Sequence, residues 1–380
     1  MNRRKFLTLA GGGVLVAAAG ATTFATTRRP DVALAPWDAA GTYADPRKNA
    51  LSFAILAPNP HNRQPWIVEL TDDNGLTLWF DTDRQLPHTD PFDRQLTIGL
   101  GAFLELMTMA ANASGFRVDL ELFPVGDDPE GLDARPIAHA TFAADSSVTA
   151  DPLWAHVMAR RSNKEPFDTA RAVPLDALQK LTSVARHGTK LGGSVDPQDV
   201  AEWRALTSDA LRIELETPHT YKESVDLFRI GKSEINANPD GIDLGGALME
   251  TLKLAGIASR EAALDTSSTM FTEGTKAVLA NTETAMGHVW MVTGGNTRRD
   301  QIAAGRDWLR INLAATSEGL GFQPLSQALQ EYPEMAALYS ETHERLAPDG
   351  GTVQMLARIG YGPAIEASPR WPIEAKMRHV

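Results

Sequence analysis

The chain has no cysteine, which at once excludes disulfides, thiolate nucleophiles, Cys-ligated zinc and iron–sulfur clusters. It is also short of positive charge: 36 basic residues stand against 48 acidic ones, for a formal net charge of -12. A nucleic-acid partner is therefore not expected, because a phosphate backbone rewards a basic face. Any phosphate bound here must be held by a few local cations rather than by the overall field. There is no Gly-x-Ser-x-Gly elbow and no His-Glu-x-x-His helix, and the nine histidines show no ligand spacing, so no metal site is expected. Gly99-Leu100-Gly101 falls inside a predicted helix rather than at a strand-to-helix turn, which argues against a dinucleotide fold. Beyond the N-terminus, no window approaches the roughly 20 continuous apolar residues of a membrane span.

What is present is an ordinary globular composition, 380 residues at 43% hydrophobic, with room for one large or two moderate cores. The first residues carry a twin arginine, Arg3-Arg4, before a mild apolar run and the small-x-small step Ala19-Gly20-Ala21. That pattern predicts a Tat-type signal peptide over 1–21. The Tat export machinery would be a partner and the location periplasmic or otherwise extracytoplasmic. Losing Arg3, Arg4 and Lys5 would take the net charge from -12 to -15.

Residues 22–44 read as a linker. Periodicity and breakers then predict a helix over 45–56, a hairpin over 66–70 and 76–80, and a long helix over 91–114 closed by Gly115. Strands over 116–123 and 137–142 complete a first half, 45–150. The second half, 151–380, opens with a helix over 153–160. Further helices are predicted over 174–186, 200–216 and 300–318, with a last strand over 354–361. Residues 219–275, richer in Gly, Asn and Asp, read as an excursion over the core that could act as a lid. Helices with a modest sheet indicate an α+β fold.

Two runs break this regularity. In Pro58-Asn59-Pro60-His61-Asn62-Arg63-Gln64-Pro65-Trp66, three prolines forbid helix and strand, leaving a stiff loop that projects Asn59 and Asn62. His61 reads as a loop histidine and Trp66 as a core residue. In Arg160-Arg161-Ser162-Asn163-Lys164, alternate positions would share one side if the chain is extended. Arginine and a hydroxyl suit a phosphate; a lysine suits the edge of a polar ring. Taken alone, the run also reads as a charged helix end.

Together the two runs resemble the halves of the flavin mononucleotide site in the nitroreductase family, but in reversed order. Further similarity lies in His88-Thr89-Asp90-Pro91 with Arg94, in Gly319 to Gln327, in Arg358 to Gly362 and in Pro369 to Pro372. The layout is similar to the Acg-like branch, over roughly residues 45–375. The resemblance implies a nitroreductase-like fold with two fused halves, an intramolecular pseudo-dimer with one composite flavin site, and hence a monomer.

It also implies roles. Arg160 would hold the phosphate, Ser162 the ribityl chain or phosphate, and Lys164 the N1/O2 edge. Pro58, Asn59, Pro60 and Asn62 would meet the isoalloxazine from the opposite half. Arg370 would close the phosphate site, and main-chain N–H groups near Ser326 and Gln327 would face N5. Asn59 departs from the family, which usually has serine there. The implied activity is FMN-dependent two-electron transfer to a nitroaromatic, quinone-like or other small acceptor, with no protein acid or base required. Two alternatives stay open: a protein that binds and sequesters flavin with little turnover, and a cofactor-free structural descendant.

Overall fold

The computed structural model describes residues 27–72 and 74–378; the signal-peptide expectation over 1–21 lies outside them. Among the described residues there are two four-stranded antiparallel sheets. The first comprises β1 (Trp66–Thr71), β2 (Gly75–Phe80), β3 (Phe116–Leu122) and β4 (Pro136–Ala144), in the order β1-β2-β4-β3. The second comprises β5 (Lys190–Ser194), β8 (Gly287–Thr293), β9 (Gly321–Pro324) and β10 (Thr352–Gly360), in the order β5-β8-β10-β9. Between β5 and β8 in sequence, β6 (Phe228–Ile230) and β7 (Ile242–Leu244) form a small parallel pair inside the excursion. Separate sheets with helices packed on them make the fold α+β.

Two 20-residue helices, Arg94–Ala113 and Arg298–Ser317, cross between the halves. The Asp90 carboxylate accepts from Gln95 N and Leu96 N, at 3.0 and 2.9 Å, to cap the first. A Thr297–Asp300 capping box starts the second. The Arg94–Ala113 helix is long and apolar enough to cross a membrane, but it is mostly buried and serves as the central core helix. Its Gly101 lies against the Ile302 carbonyl and Gly305 Cα, so the backbones touch where they cross. Glu105 braces the same contact, bonded by Arg306 Nε at 2.8 Å and Arg310 Nη1 at 3.0 Å. Burial pushes its carboxyl up, but His187 and these arginines outweigh that and bring the pKa to about 2.

Three expectations need correction. Part of the expected linker over 22–44 is a helix, Asp31–Ala39, that buries Ala33, Leu34 and Trp37. Its Ala33 O accepts from Arg370 N and its Trp37 Nε1 donates to Ser368 O, so it is held by the C-terminal arm rather than by local propensity. The segment over 153–160 is 3₁₀ rather than α, Pro152–Ala159, and ends at Arg160. Strands β5 and β8 were not anticipated. β8 is buried on nearly its whole length, so it shows no alternation.

After β10 the chain runs back across the first half. Arg378 N donates to Val68 O at 2.8 Å, and Trp371 N donates to Gln64 Oε1 at 2.9 Å. This return brings Arg370 to the proline loop.

Candidate flavin site

The loop from Ala57 to Pro65 is held in an unusual conformation. His61, Asn62 and Gln64 all have positive φ, at 46°, 51° and 51°. Each costs about 1 kcal/mol or more, so the surroundings must impose the shape. Asn59 Oδ1 accepts from Gln64 N at 2.7 Å and its Nδ2 donates to Ala57 O at 3.1 Å. Both ends of Asn59 therefore brace the loop itself. Gln64 is fully buried, and its Nε2 donates to Pro239 O of the excursion at 2.6 Å. Gly241 N donates to Asn62 O at 3.2 Å, so the excursion is docked on the loop. Trp66 is in the core against Phe103, ring centroids 4.9 Å apart, as its sequence suggested.

The arginine run meets this loop. Arg160 is 3% exposed; its Nη2 donates to Leu56 O at 3.0 Å, and its Nη1 is buried without a partner. Arg370 is 2% exposed; its Nη2 donates to Leu56 O and Ala57 O, both at 3.2 Å, and its Nη1 to Asn62 Oδ1. Arg370 Nε also lacks a partner. Two buried guanidiniums thus share one carbonyl with no carboxylate bonded to either. Burial, and then the Arg370 and Arg161 charges, lower the Arg160 pKa to about 9. Burial is also the main cause at Arg370, lowered to about 10. Cations destabilised this way are most simply completed by an anion.

Along the rest of the run, Arg160 and Asn163 are buried, Ser162 is half-buried and Lys164 is exposed. Asn163 N donates to Phe322 O at 2.8 Å, laying the run beside β9. Arg358 fixes it from below, donating to Lys164 O at 3.2 Å and Glu165 O at 2.7 Å. Lys164 is nonetheless close enough to act on the loop. Burial first, then the Lys164 and Arg63 charges, hold His61 neutral with a pKa of about 4. Lys164 and Arg370 also both face Asp243 on β7, where desolvation still raises the carboxyl pKa.

Pro58, Asn59, Pro60 and Asn62 are half-buried and adjoin the Arg160–Arg370 pair. Ser326 and Gln327 reach it only through backbone, four or five residues beyond the Phe322 that Asn163 bonds. They open a 3₁₀ turn, Gln327–Leu329, whose first N–H groups have no partner within the turn. The Ser326 hydroxyl bridges Leu356 N and O, both at 3.3 Å. Gln327 and Gln330 instead bond a residue that no motif announced, Glu214, with Gln330 Nε2 at 2.8 Å.

Burial, aided by the Glu223 charge and opposed by those amides, raises Glu214 to about 7. A raised carboxyl pKa means stability that is full below about 4.5 and lost as pH rises through 7. Glu214→Gln is expected to remove that loss, up to about 3 kcal/mol at pH 8, while matching wild type near pH 4.5. Parallel wild-type and variant stability–pH curves in urea melts would refute it.

No family model matches the chain. It is 26% identical to a Mycobacterium tuberculosis protein named "Putative NAD(P)H nitroreductase acg", over 86% of this chain and 93% of that one. A second protein of that organism, also named "Putative NAD(P)H nitroreductase", is 24% identical over 87% and 88% of the two chains. Among solved structures, a nitroreductase-like family protein from Bacillus cereus is 15% identical, covering 61% of this chain and 97% of its own, at a TM-score of 0.34. A nitroreductase from Bacteroides fragilis with bound FMN is 12% identical, covering 57% and 93%, at a TM-score of 0.32.

Proposed function

We propose that this chain is an FMN-binding oxidoreductase of nitroreductase type. The observation that carries the reading is the Arg160–Arg370 pair, buried, mutually repelling and left with unpaired N–H groups beside a strained loop. A phosphate dianion would satisfy both guanidiniums. The names of the two Mycobacterium tuberculosis relatives support the same class.

In this reading Arg160, Arg370 and Ser162 hold the phosphate. Pro58, Asn59, Pro60 and Asn62 form the wall that meets the ring system, with Asn59 keeping that wall in shape. Lys164 supplies positive charge at the pyrimidine edge, which raises the flavin's potential. The N–H groups at Ser326 and Gln327 face the redox-active nitrogen. When bound, FMN supplies two-electron transfer between a reduced donor and a nitroaromatic, quinone-like or other small acceptor. His61, neutral at physiological pH, adds no charge to the wall.

The two sheets, each accompanied by one of the crossing helices, support a fused pseudo-dimer with a single composite site. We also propose export through the Tat pathway on the strength of Arg3-Arg4 and the run that follows. A second reading, flavin sequestration, is favoured by the excursion's bonds to the loop through Pro239 and Gly241.

The purified protein should be yellow, with flavin absorbance bands that bleach within seconds of anaerobic NADPH or NADH. Bands that persist for hours under both donors would select sequestration. A colourless protein that stays colourless after incubation with FMN would end both readings.

A further inference from the structure

A cavity of about 310 Å³ lies between β1 and the returning C-terminal arm. Its walls include Asp81, Arg84, Trp371, Lys376 and Arg378 over an apolar patch at Ile67. None of these residues belongs to the flavin assignment.

The charges do not balance. Asp81 faces Arg84 at 3.3 Å and Lys376 at 3.6 Å. Arg84 also pairs with Asp240, which in turn takes Arg229 at 2.8 Å. Arg378 sits over the Trp79 ring, 5.1 Å from its centroid. The cavity wall itself thus carries three cations, Arg84, Lys376 and Arg378, and one carboxylate, Asp81, in a protein whose net charge is -12. Lys376 is 5% exposed. Burial, then the Arg84 charge, hold its pKa down at about 8 even with Asp81 beside it. Trp371 adds an indole N–H that is buried and has no partner.

We propose that this cavity is a second anion site, built for a small organic phosphate whose phosphoryl group meets Lys376, Arg84 and Arg378 while its apolar part lies on Ile67 and the Trp371 ring. The volume suits one small molecule. An excess of cation, one of the three buried, with an unused N–H donor is what a dianionic head group completes. The site is independent of the flavin reading. It adjoins that region through the bond from Trp371 N to Gln64 Oε1 and those from Arg63 to Arg84 O and Asp83 O.

The test is calorimetric titration of the full chain, saturated with FMN so that the Arg160–Arg370 pair is taken, with phenyl phosphate, and with inorganic sulfate as the head-group control. Binding should weaken at least tenfold in Lys376→Met and in Arg378→Gln. Arg378 is exposed, so its variant decides the matter even if Lys376→Met fails to fold. Equal binding in wild type and Arg378→Gln, or no heat at millimolar phenyl phosphate, would each overturn the proposal. Sulfate bound as tightly as phenyl phosphate would overturn the apolar subsite.

Discussion

Arg160→Met is expected to make the protein more stable and, at the same time, nearly unable to hold FMN. The Arg160 side chain is 3% exposed, makes a single hydrogen bond to Leu56 O, and lies against a second buried arginine that bonds the same carbonyl. No carboxylate is bonded to it, so without ligand the folded state bears the desolvation of that charge and its repulsion from Arg370. Replacing buried ionic groups by apolar side chains of similar volume is often neutral or stabilising, by up to about 4 kcal/mol, and a charge with no partner has less to lose than a pair. In a chain of this size that is a rise of a few degrees in melting temperature, on the order of 1–2 °C per kcal/mol. With FMN present the sign reverses. A charge-assisted bond to the phosphate is lost, worth about 1.5–3 kcal/mol, so FMN affinity falls roughly 10- to 150-fold. Melting curves with and without FMN, together with fluorescence titration of FMN, read both effects. A variant that melts lower and binds FMN as well as wild type would show Arg160 to be an ordinary structural residue.

Arg370 does not offer as clean a test, and the reason bears on what the sequence could reveal. Arg370 bonds Asn62, Leu56 and Ala57, so its removal would release the loop as well as the charge. The two candidate site runs were legible because they break periodicity: three prolines in nine residues, and Arg160, Ser162 and Lys164 at alternate positions, are visible without any tertiary knowledge. The meeting of Asn62 with Arg370, 308 positions apart, was reachable only through resemblance. Residues that act through the tertiary structure left no trace. Glu214 is one acid on a helix of mixed polarity, yet tertiary packing buries it against two glutamine side chains. Asp243 matters because β7 brings it to Lys164 and Arg370.

Among the elements, the hairpin and the two long helices were readable from pattern and caps. β5 was not, because Gly192 and Gly193 give a strand a loop-like composition. Those glycines are required by packing, since a Cβ at Gly192 would come within 2.4 Å of the Trp290 indole. The Asp31–Ala39 helix contains Pro36 and is held from outside, by the C-terminal arm. In each case the missing information sits in a distant partner.

Gly305→Ala should be the most damaging addition of a single methyl group to any glycine among the described residues. A Cβ at Gly305 would lie 1.9 Å from Ile98 O and 2.8 Å from Gly101 Cα, both backbone atoms of the opposite helix. No rotamer change relieves a clash with backbone, so the two central helices must move apart by roughly 1 Å or more to restore ordinary contact distances. Glu105 would then be drawn from Arg306 and Arg310, and the core residues flanking the crossing would lose contact. Overpacking of this kind costs about 3 kcal/mol or more. Gly274→Ala is the matched control: it sits in the Thr269–Thr282 helix with nothing within 4 Å of the added methyl. There alanine should stabilise by about 0.5–1 kcal/mol, through helix propensity alone. Urea denaturation of the two variants should therefore move in opposite directions. Equal midpoints would mean that the crossing is not closed at Gly101 and Gly305, and that the halves are held together elsewhere. Gly99-Leu100-Gly101 thus has a physical role other than a dinucleotide loop: Gly101 lets one half of the chain touch the other, while Gly99 leaves room for Asn59 and Pro60 of the proline loop. The same helix therefore sets both the distance between the halves and the floor beneath the proposed flavin wall.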